Sequence, residues 1–98
     1  MDKKKIIETH LAQFNEPGFN VMKAFVEPKF ADPLHICRFL EQGNTLPVIT
    51  KQVILKLPLM DQLGAVAGIF TAKSKQKFAQ LFEEALVELE YLAKISAN

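Results

Sequence analysis

The residues best suited to chemistry are few, and their spacing works against them. His35 and Cys37 are separated by one residue within a segment that carries helical signals. At about 100° per residue their side chains point roughly 200° apart, so they cannot share a metal ion. His10 could join either one only through the tertiary fold. Glu83 and Glu84 are adjacent and diverge. Glu84 with Glu88, and Glu83 with Glu90, share helix faces and read as solvated surface. No Ser/His/Asp set is legible. The G-x-x-x-G of Gly64 and Gly68 lies in an apolar helix and lacks the Lys-Ser or Lys-Thr of a phosphate loop. These residues point to no catalytic group, no metal and no cofactor, and so to a protein that is not an enzyme.

Lysines are the other chemically suggestive group. Lys73, Lys75 and Lys77 cluster ahead of the last helix, where positive charge opposes the helix dipole. Either they end a helix continuing from Leu59 or they serve a function. With Lys51 and Lys56 they could line a nucleic-acid surface, and with Lys3, Lys4 and Lys5 an anionic one. Residues 32–57 have the outline of a helix-turn-helix, but the detail departs. Phe39 stands where a small residue is usual, and Pro47 lies near the start of the would-be recognition helix. No family resemblance is drawn from it.

The elements that must position these groups follow from composition and punctuation. The chain has 98 residues, 49% of them apolar, which is enough for one domain, 1–98, with a real core. A net charge of +1 argues against a strongly nucleic-acid-driven surface. The single cysteine, Cys37, allows no internal disulfide and fits a reducing, cytoplasmic setting. No signal-peptide pattern is expected, because only Ile6 and Ile7 follow the lysines before Glu8. The most apolar stretch, 57–70, falls short of the ~20 residues needed to span a bilayer. No membrane association is expected.

Along the chain, 3–14 reads as a helix with Ile7, Leu11 and Phe14 on one side. Glu16-Pro17-Gly18-Phe19 has the chemistry of a type II turn. Residues 20–26 read as a short helix stopped by Pro28, and 29–31 as a loop anchored by Phe30. Asp32 as N-cap, Pro33 at the first helical position and Gly43 as the stop mark a third helix, with Ile36, Phe39 and Leu40 inward. Residues 46–57, capped by Thr45, read as helix in preference to strand, because a lone strand has nothing to pair with. Pro58 opens a fifth helix over 59–71. Its large residues Leu59, Leu63, Val66, Ile69 and Phe70 fill one face, with Gly64, Ala65, Gly68 and Ala72 opposite. Each glycine inside a helix costs about 1 kcal/mol, so close packing, a hinge or a ligand-sized gap is expected there.

The closing segment, 73–98, carries two apolar stripes. Phe78, Leu81, Phe82, Ala85, Leu86, Leu89, Leu92 and Ala93 fill a face roughly 140° wide, suited to the core. Val87, Tyr91 and Ile95 form a narrow ridge on the far side. The resulting expectation is an all-α compact bundle of five or six short helices with a long C-terminal amphipathic helix. Functionally it is an adaptor or regulator, a homodimer binding through Val87, Tyr91 and Ile95 or through the small-residue face at Gly64 and Gly68. The alternatives are a nucleic-acid regulator using Lys51, Lys56, Lys73, Lys75 and Lys77, or a carrier of a small apolar ligand.

Overall fold

Each helix begins and ends where local chemistry satisfies its free backbone groups. A computed structural model describes residues 2–15, 32–45 and 47–96. The turn at Glu16 to Phe19, the helix at 20–26 and the Phe30 loop therefore lie outside the described residues. Asp2 caps α1 (Lys3–Ala12) by accepting the Lys5 N–H at 3.1 Å. A 3-10 turn, Gln13–Asn15, extends it. Asp32 caps α2 (Pro33–Glu41) through the Leu34 N–H, Pro33 occupies its first turn, and Gly43 follows at φ +82°. This end is the one read from the sequence.

The segment after the second cap is helical: α3 spans Pro47–Leu55. It buries Ile49, Val53 and Ile54, with Leu57 just beyond its end. The Gln62 side chain donates to the Leu55 and Leu57 carbonyls at 3.2 and 2.9 Å, closing α3 from the following helix. That helix, α4, spans Leu59–Val66, five residues short of the expected end at 71. Gly68 stops it at φ +79°, with Ile69 N–H on the Gly64 carbonyl at 2.8 Å and Gly68 N–H on the Ala65 carbonyl at 3.3 Å. Those two bonds make a Schellman cap.

Thr71 then caps α5 (Ala72–Ser96), its hydroxyl accepting the Ser74 N–H at 3.1 Å. Every described element is helical, so the fold is all-α among the described residues. Helix α5 is the spine. Phe78, Phe82 and Leu86 are completely buried, and Leu89 and Ala93 nearly so, as the wide stripe requires. Leu92, expected in that stripe, is 42% exposed at its edge. Helices α1, α2 and α3 pack on this stripe, while α4 leans on α3.

Helix α1 runs antiparallel to α5. Lys3 pairs with Glu90 at 2.6 Å, the His10 ring lies 4.5 Å from that of Phe82, and Phe14 meets Phe78 and Phe70 at 5.4 and 4.4 Å. Its inward face is rotated from the expected one. Ile6, Ile7 and His10 are buried, whereas Leu11 and Phe14 pack at the margin.

The two faces of α4 are used unequally. Its large residues face outward: Leu59, Met60, Leu63, Val66 and the following Ile69 are between 49% and 77% exposed. The small residue Ala65 is buried instead, and Asp61 and Gln62 turn toward their neighbours. A short helix with small inward residues can approach α3 closely, while Gln62 finds its partners at the end of α3 and Asp61 its partner in Ser74 of α5.

Candidate interaction surface

Among the described residues two apolar surfaces remain open, one on α5 and one on α4. On α5 the ridge forms because Val87, Tyr91 and Ile95 recur every four residues, opposite a stripe that the other helices cover. They are 53%, 64% and 54% exposed. The same open face continues toward the start of α5. Gln80, Glu83, Glu84 and Val87 share one shallow dip, and Lys73, Gln76, Lys77 and Gln80 the next. The face is therefore graded, basic at its beginning, acidic at its middle and apolar at its end.

Of the lysines expected as a nucleic-acid patch, Lys73 and Lys77 line one dip on α5 and Lys56 lines a groove between α2, α3 and α5. Lys51 and Lys75 are half-buried, whereas Lys56, Lys73 and Lys77 are exposed. Lys73, Lys75 and Lys77 sit in the first turns of a new helix, since α4 has already ended. Two other features offset the adverse dipole there. Thr71 caps the helix, and the Asp61 carboxylate accepts the Ser74 hydroxyl at 2.8 Å beside that positive end. Lys73 and Lys77 stand at i, i+4 and repel by about 0.2–0.5 kcal/mol, as do Glu84 and Glu88.

Gly64 and Gly68 both belong to the cap of α4. Gly68 supplies the left-handed backbone, and a Cβ on Gly64 would come 2.7 Å from the Ile69 carbonyl oxygen. The turn thus offsets the glycine cost without a partner backbone or a ligand-sized gap. Two grooves lie between the helices. One of about 470 Å³ runs between α1 and α5 and includes Lys3, Ile7, Leu11 and Glu83. Another of about 310 Å³ lies between α2, α3 and α5 and includes Ile36, Val48, Lys56 and Leu92. Both are open to solvent.

The histidines and the cysteine are spread across the fold. His10 is buried, its Nδ1–H donating to the Ile6 carbonyl at 2.8 Å, and burial lowers its pKa from 6.5 although that bond favours the charged form. The spacing of Ile6 and His10 on α1 was the available sign of this inward position. Cys37 is buried with Sγ 3.9 Å from the Leu89 carbonyl, and burial, then Glu41 and Glu90, push its pKa up. A raised pKa keeps the thiol protonated and unreactive. His35 is exposed on another side of α2. Among the described residues no three His, Cys, Asp or Glu side chains come together as metal ligands, and no helix is long and apolar enough to cross a membrane.

The Lys3–Glu90 ion pair fastens α1 to α5, and its hydrogen bond holds Glu90 below the usual carboxylate range. Protein-family models, curated proteins and solved structures were each compared with this chain, and none matches it.

Proposed function

We propose that this chain is a non-enzymatic interaction module that associates with itself through the open face of α5, and acts as an adaptor or regulator. The observation carrying this reading is the ridge. Three large apolar side chains stand in line, each more than half exposed, on a helix whose other side is largely used by the core. Scattered exposed apolar residues need no explanation, but a contiguous line of them favours a contact surface. A small domain also gains from burying such surface against a second copy. The lone buried thiol suits a reducing compartment such as the cytoplasm.

The lysine-based reading has weaker support, because Glu83, Glu84 and Glu88 share the exposed side of α5 with Lys73 and Lys77. A continuous basic stripe is what nucleic acid requires. The ligand-carrier reading loses its main argument once the glycines are assigned to the cap of α4.

Sedimentation equilibrium or light scattering tests the proposal. The parent should weigh more than its 11.0 kDa monomer, and Tyr91→Glu should lower that mass while leaving the helical circular-dichroism signal intact. A parent that stays monomeric at every concentration would sink it.

A further inference from the structure

The open face of α5 carries a charge pattern that is its own complement when the helix is reversed. Lys73, Lys77, Glu84 and Glu88 are all exposed. At about 100° per residue they fall within an arc roughly 60° wide, along one edge of the face. Lys73 and Lys77 stand as far before the Gln80–Leu81 peptide as Glu88 and Glu84 stand after it. Among the described residues none of the four has an ion pair, and each like-charged pair repels within its own helix.

We infer that α5 pairs antiparallel with α5 of a second copy, about a two-fold axis beside Gln80; the inference rests on the self-association reading above. A two-fold axis across antiparallel helices sets each edge against its own counterpart. Lys73 then faces the partner's Glu88, and Lys77 the partner's Glu84, with both pairs repeated by symmetry. The interface closes with two copies, because each contact is reciprocal.

In this register Tyr91 and Ile95 of one copy extend just past the first turn of the partner's α5. A parallel pairing would turn this edge toward the opposite edge of the partner's face and lose the mirror relation. An antiparallel pairing centred on Tyr91 would leave all four charges of this edge without a counter-charge. Complementary charge selects register in this way even where it adds little affinity.

Cysteine cross-linking and charge reversal test the register in the full chain. Gln80→Cys should form a disulfide-linked dimer under mild oxidation, since a residue beside the axis meets its own copy, while Tyr91→Cys should not. The native Cys37 is buried, so the parent serves as the uncross-linked control. Lys77→Glu and Glu84→Lys should each weaken association roughly tenfold or more, and the double reversal should restore it. A parent that associates but cross-links at position 91 and not at 80 overturns the register and leaves self-association standing. Failure of the double reversal to restore association does the same. A monomeric parent, whatever else its open face then binds, overturns both.

Discussion

Helices α4 and α5 both carry large apolar residues, yet they use them in opposite ways. On α5 the wide stripe is buried and the narrow ridge is open. On α4 the large face is open, while Ala65 and the hydrogen-bonding Asp61 and Gln62 face inward. The difference is one of neighbours. Three helices converge on α5 and give its stripe a place to go. Helix α4 leans mainly on α3, where Ala65 is buried and Gln62 closes the end of that helix, and no further described element covers Leu59 or Leu63. Apolar periodicity thus identifies a face, but the number of elements packed around a helix decides which face is buried.

This contrast can be broken at its strongest point first. Phe82→Ala removes a completely buried ring that touches both His10 and Phe78. It should cost about 3–5 kcal/mol in chemical denaturation. A loss below about 1 kcal/mol would mean that α5 is not the spine.

The next effect lies in the cap of α4. Gly64→Ala gains about 1 kcal/mol of helix propensity, but its Cβ meets the Ile69 carbonyl oxygen at 2.7 Å. That backbone atom cannot swing away, so the net change should be a loss of about 1–3 kcal/mol. Stabilisation by alanine would instead show that the turn after α4 is loose.

Acid should loosen the seam between α1 and α5. His10 has a folded pKa below its ordinary 6.5, chiefly through burial. Between those two values the unfolded chain binds more protons than the folded one, so stability rises with pH there. His10's contribution is full above about pH 6.5 and is lost as pH falls toward the folded pKa. Denaturation midpoints of the parent and of His10→Phe, followed from pH 7.5 down to 5, should converge or cross as pH drops. Parallel curves would count against this account.

The smallest effect is the most useful for the comparison. Leu63→Ala, on the open face of α4, should change monomer stability by no more than about 0.5 kcal/mol. A core-sized loss would show that this face is buried.

Much of the architecture was legible because its signals are local. Asp32, Pro33 and Gly43 bracket α2 through capping chemistry that needs no tertiary information. The wide stripe of α5 was readable because it spans many turns of one helix. What escaped depended on partners distant in sequence or on short signals. The end of α4 was hidden by reading Gly68 as helical when its positive φ ends the helix. Thr71, three residues before Ser74, was the overlooked cap of α5. The inward turn of Asp61 and Gln62 depends on Ser74 and on the end of α3, which no periodicity reveals. For the open face, the ridge was visible in the spacing of Val87, Tyr91 and Ile95. The mirrored lysines and glutamates gained meaning only once the start of α5 was fixed and their exposure known.

The antiparallel seating of α1 on α5 has a mechanical consequence. Lys3 lies against Glu90, so the opening residues of α1 sit beside the last turns of α5. A pull applied between Lys3 and Ser96 would load that seam from one end. It would strain the Lys3–Glu90 pair first, then Ile6 and Ile7, then the His10–Phe82 contact, and the stacked rings of Phe14 and Phe70 last. Contacts loaded in sequence share little force at any moment. The domain is built to unzip under tension at low force, although the same contacts sheared together would resist far more.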